Sequence, residues 1–166
     1  MSEFRLELRS DAALVFQHLP LVYVECMLMI PQTLDDDDER LRARLFPDVY
    51  LDDEDNAEWE RYGKPELFAL FASQSEIVRK DLQGLAPEAE GFGYRLVVPA
   101  QHRVGWMAAL NAARLMLAEK HGIQAVDMNR PLDVDEPTEK DFALFRIDRL
   151  GELEELFVQA GDVELG

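Results

Sequence analysis

The sequence predicts a mainly α-helical single domain over residues 1–166, with a small two-stranded β element. Three observations carry the prediction. Apolar residues recur at three- and four-residue spacing in segments bounded by proline and glycine, the pattern of one-faced helices. Only residues 4–8 and 94–98 read as strands. No fixed-period repeat or composition break divides the 166 residues, a length that suits one domain. Hydrophobic types make up 48%, enough to bury a core.

Phe4-Arg-Leu-Glu-Leu8 alternates apolar and charged, as a half-buried strand does. Ser10 suits an N-cap and Asp11 a first turn, so a helix is expected from Asp11 toward Ile30. Pro20 would kink it or start a second helix, because an interior proline costs about 3 kcal/mol. Pro31 is expected to close the region. Residues 37–46 place acids first and arginines last, the order a helix dipole favours. A second short helix is expected over 55–62, stopped by Gly63. Pro65 then suits the first turn of a third, carrying Leu67, Phe68, Leu70, Phe71, Ile77, Val78 and Leu82 on one face.

Residues 84–93 hold three glycines and a proline and predict a loop. Tyr94–Val98 resembles the first strand in composition, and the two are expected to pair. After Pro99 comes a long amphipathic helix over 100–121, striped by Trp106, Leu110, Ala113 and Leu117, with Met107, Leu115 and Ala118 beside them. Gly122 suits its C-cap. Phe142, Phe145, Ile147, Leu150, Leu153, Leu156 and Phe157 predict a last helix, with Gly151 as its weak point. Weakly ordered acidic loops are expected near 31–38 and 127–137.

The chain carries 34 acids and 17 bases, a net charge of -17. Residues 35–60 hold 12 acids and 3 bases, and residues 127–166 hold 12 acids and 4 bases, so these two segments carry the whole excess. That balance argues against nucleic acid and anionic membrane as partners and leaves a basic protein partner as the sharper reading of the acidic runs. The same runs are also read as solvated loops and helix N-termini. The apolar window 12–30 contains Gln17, His18, Pro20 and Glu25, so it reads as core and not as a membrane span. With one cysteine, Cys26, and no signal-peptide pattern at the start, the expectation is a cytoplasmic protein.

No catalytic constellation emerges. His18, His102 and His121 are far apart and make no zinc-binding pair. Cys26 lies among apolar residues, which raises a thiol pKa and blunts it as a nucleophile. There is no nucleophile elbow and no phosphate-cradling glycine loop. Residues 48–55 carry oxygen ligands but lack the glycine and closing glutamate of a calcium loop. Accordingly no catalytic, metal or cofactor-binding residue is expected, and no cofactor. An enzyme is the less favoured reading.

Two constellations stand out: Arg44-Leu-Phe-Pro-Asp-Val-Tyr-Leu-Asp52, and the stretch from Trp106 to Leu117. Asn111 and Arg114 lie three apart on one helix face. An arginine there wants a carboxylate in a bidentate fork, and Asp48 and Asp52 are the expected partners. Arg44, Asp48, Tyr50, Asp52, Trp106, Asn111 and Arg114 therefore form either a structural network or a docking site.

These residues also carry a resemblance. Arg44-Leu-Phe-Pro-Asp-x-Tyr-x-Asp-Asp53 and Trp106-x-x-x-Leu-Asn-x-x-Arg-Leu-x-Leu117 look like the two signature stretches of the bacterial family DUF2017, over about residues 40 to 120. Ala112-Ala113 departs from the Asp-Leu associated with that place. The resemblance implies a soluble, largely helical bacterial protein and supplies no catalytic residues. Members are often encoded beside the protease adaptor ClpS, which implies a link to Clp proteolysis. The expected function is a non-enzymatic interaction or regulatory protein acting through its acidic segments. The alternative is a small-molecule-binding protein or enzyme with a polar pocket near Asn111 and Arg114. Two apolar-faced helices near the C-terminus leave room for a homodimer.

Overall fold

The computed structural model describes residues 3–36, 53–129 and 135–165. Helices dominate, and a four-stranded antiparallel sheet accompanies them. The strands are β1 (Arg5–Leu8), β2 (Leu14–Leu19), β3 (Ala86–Pro87) and β4 (Tyr94–Val98), in the spatial order β1-β2-β4-β3. The expected pair of strands is thus corrected to four. β2 lies between the two that were to pair.

The difference arises at residues 11–19, expected to begin a helix. Asp11 accepts a hydrogen bond at 3.0 Å from the Ala13 backbone N–H, and Ala12 takes a left-handed φ of 67°. That turn reverses the chain into a hairpin. The following Leu-Val-Phe run is buried on both faces, which suits a central strand as well as a helix. A register shift between Phe16 and Leu19 accompanies the left-handed φ of His18, 56°.

α1 (Leu21–Leu34) begins after Pro20 and continues one turn past Pro31, which was expected to end it. Pro31 gives up its own N–H, but Ile30, Pro31 and Leu34 are all buried there, and packing overrides the local preference. The helix expected over 37–46 lies outside the described residues. α2 (Asp53–Glu58) runs through a π-helical turn, Trp59–Gly63, into α3 (Lys64–Leu82). Gly63 does not stop the helix. It lies under the Trp59 ring, where a Cβ would come within 2.2 Å of Cε3. Pro65 removes a hydrogen bond in this region, the kind of break that a π turn accommodates. Leu70 is exposed, while Val78 and Leu82 are buried and Phe71 packs against the core.

α4 (Arg103–Lys120) follows a 3₁₀ turn at Ala100–His102. Trp106, Leu110, Ala113 and Leu117 are buried as the spacing predicted, whereas Leu115 is exposed. Gly122 (φ 60°) and Ile123 close the helix by returning their N–H groups to the Glu119 and Ala118 carbonyls, a Schellman cap. α5 (Ala125–Met128) is a single turn that runs into the start of the acidic loop expected near 127–137. α6 (Glu139–Leu165) starts on a reciprocal cap: Thr138 Oγ1 accepts from the Asp141 N–H, and Asp141 accepts from the Thr138 N–H at 2.9 Å.

One hydrophobic cluster runs from Leu14 to Ala160, drawing on β2, β4, α1, α3, α4 and α6. At its centre Phe157 stacks on Trp106 (5.9 Å between ring centroids) and meets Phe16 (5.7 Å).

Candidate functional site

Of the seven residues singled out from the sequence, Arg44, Asp48, Tyr50 and Asp52 lie outside the described residues. The other three are on α4 and face different surroundings. Trp106 is fully buried, and its indole N–H donates to Asp81 Oδ2 at 2.8 Å. Asn111 is exposed. Arg114 lies across α6, its Nη1 donating to Glu154 at 3.0 Å. The Arg114 carboxylate partner among the described residues is therefore Glu154, 40 positions away. Gly151 makes room for it, since a Cβ there would sit 3.1 Å from Cζ. Gly151, the expected weak point, leaves α6 unbroken. Arg114 Nε is buried without a partner.

A second cluster escaped the sequence reading. Asp81, with a side chain only 6% exposed, stands 2.9 Å from His102 Nδ1 as well as binding Trp106. The residues come from the last turn of α3, the 3₁₀ turn and α4. Their contacts fix the α3–α4 crossing at the close approach of Gly105 to Ile77. A His–Asp pair can also orient a catalytic base. Asp81, His102 and Trp106 line none of the cavities described next, and their contacts tie α3 to α4.

The concave surface lies elsewhere. On α1, Val22, Cys26, Met29 and Thr33 recur on one face. On α6, Glu139, Phe142, Phe145 and Arg146 do the same. Between these faces are two cavities, of about 560 Å³ and 370 Å³, the larger also reaching the end of α4. Met29, Phe142 and Arg146 line both. Lys120 and His121 add to the larger one, where Lys120 Nζ is 3.6 Å from Asp36. Burial, with Lys120 and Arg146 nearby, pushes the His121 imidazole below its ordinary value, against the opposite pull of Glu139. Burial likewise raises the Cys26 thiol at the smaller cavity. One turn before Cys26 on α1, Tyr23 donates its hydroxyl to Glu152, which holds the phenol above its usual range.

Half-buried Arg146 forms no hydrogen bond or ion pair among the described residues. Its neighbour on the helix, Arg149, binds Glu152 at 2.8 Å and covers the Phe145 ring. Among the described residues, no group of three His, Cys, Asp or Glu side chains is disposed to hold a metal ion. No helix among them is long and apolar enough to cross a membrane.

A family model described as a domain of unknown function, DUF2017, matches residues 5–161. No curated protein and no solved structure matches the chain.

Proposed function

The chain belongs to the DUF2017 family, and from that premise we propose that it is a non-enzymatic interaction protein of the bacterial cytoplasm, receiving a basic protein partner on its acidic segments. The observation that carries this reading is α2. Asp53, Glu54, Asp55 and Glu58 are exposed, and the helix buries none of its residues. An element that adds nothing to the core but concentrates charge is better suited to contact than to packing. The following π turn adds exposed Tyr62, an aromatic of the kind that centres an interface. A place in Clp-dependent proteolysis is part of the same proposal and rests on the family's gene neighbourhood.

Affinity capture at low and high salt, read by mass spectrometry, tests the proposal. The wild-type chain is compared with a variant carrying Asp53→Asn, Glu54→Gln and Asp55→Asn. Partners of high pI that the wild type retains at low salt are expected to be lost from the variant. An identical set of partners on both proteins would overturn the reading.

The alternative pocket near Asn111 and Arg114 gains no support, because Arg114 is turned onto Glu154 and neither residue lines the two cavities.

A further inference from the structure

The groove between α1 and α6 poses a question that the acidic surface does not answer. Its larger cavity of about 560 Å³ and its smaller one of about 370 Å³ both fall in the size range of small-molecule sites. Their shared wall is made by Met29, Phe142 and Arg146. Two of these offer polarisable or aromatic surface, and the third offers a charge. Phe142 is 51% exposed, so the apolar wall is open to a ligand.

The acids around the groove are already placed. Asp36 faces Lys120, and Asp141 is held in the Thr138 cap. Glu25 and Glu139 are exposed at the rim. The charge left over at the shared wall is the Arg146 guanidinium. Its N–H donors are not among the buried groups left without a partner, so they face solvent and stay open to an incoming anion. An incoming anion restores what the protein lacks, and a guanidinium fork matches a carboxylate in two parallel hydrogen bonds. Lys120 and His121 stand on the same side of the larger cavity, Lys120 paired with Asp36, so the uncompensated charge at the shared wall is that of Arg146.

We propose that this groove binds a small amphiphilic carboxylate, its head on Arg146 and its apolar chain laid along Met29, Phe142 and Phe145. The proposal stands apart from the acidic docking surface, which lies on other residues.

Titration calorimetry on the full chain tests it with three probes of equal chain length: decanoate, decanol and decylammonium. Decanoate is expected to bind saturably and the other two much more weakly. Arg146→Gln is expected to weaken decanoate about tenfold or more, the loss of a charge-assisted hydrogen bond. Arg79→Gln removes an exposed arginine on α3 that pairs with Asp35 and Glu76, and it is expected to change nothing. A second measurement needs no variant. Phenylglyoxal labelling of the wild type, mapped by peptide mass, is expected to lose Arg146 when decanoate is present. Equal binding of decanol or decylammonium would overturn the proposal. So would an unaltered affinity in Arg146→Gln, or Arg146 labelling that decanoate does not change. The variant neutralised at Asp53, Glu54 and Asp55 is expected to bind decanoate like the wild type, which separates this site from the partner surface.

Discussion

His121 shows how one residue's setting becomes a property of the whole chain. Its imidazole is held below the ordinary value of 6.5 by burial and by Lys120 and Arg146, with Glu139 opposing and Asp36 facing Lys120. In the unfolded chain it takes up a proton near pH 6.5, while the folded protein still resists. Between those two pKa values the unfolded state binds more protons, so stability is lost as pH falls below about 6.5. Urea unfolding at pH 7.5 and pH 5.5 is expected to show that loss in the wild type and a smaller one in His121→Gln; equal losses would refute the assignment. At this scale the sequence was only partly legible. The appetite of Arg114 for a carboxylate can be read from its position on an apolar stripe. The identity of Glu154 cannot, because nothing local ties positions 40 residues apart. The pairing of Asp81 with His102 was missed for the same reason, since it exists only where α3 meets α4. Arg146 carried no motif, although the i, i+4 recurrence of Phe142 and Arg146 could have placed both on one face.

Among the elements, helices with clear caps were the ones the sequence declared. Gly122 ends α4 as expected, and the Trp106 stripe is buried as its spacing demands. β2 was missed because a doubly buried strand has no alternation to display, and Ser10-Asp11 serves a turn as readily as a helix start. Pro31 and Gly63 were read as stops and proved to be passed over, one by burial of its surroundings and the other beneath Trp59. The sheet depends on a close approach that no pattern announces. His18 takes its left-handed φ, its N–H donates to Glu88 Oε1 at 2.9 Å, and Gly93 passes directly against it. A Cβ on Gly93 would lie 2.6 Å from the His18 carbonyl carbon, and Gly93 itself has a φ of 89°. Both conditions penalise a side chain, and the obstructing atom is backbone. Gly93→Ala is therefore expected to cost about 2 kcal/mol or more in denaturant unfolding. A cost near zero would mean that the β2–β4 pairing shifts freely there.

Across the whole molecule the core is a meeting of distant segments. Phe157 is 1% exposed, stacks on Trp106 and touches Phe16, so it joins α6 to both α4 and the sheet. Phe157→Ala is expected to destabilise the protein by about 3–5 kcal/mol, read from the midpoint of a denaturant titration. A loss below about 1 kcal/mol would show that α6 does not close the core. The same contact sets a timetable for synthesis. β2 leaves the ribosome ahead of two of its partners: its antiparallel neighbour β4 is some 75 residues behind it and Phe157 some 140. At about 5–20 residues per second, the Leu14–Leu19 strand waits on the order of ten seconds for its last covering side chain. During that interval the nascent chain presents an apolar strand with an unpaired edge, the kind of segment chaperones bind.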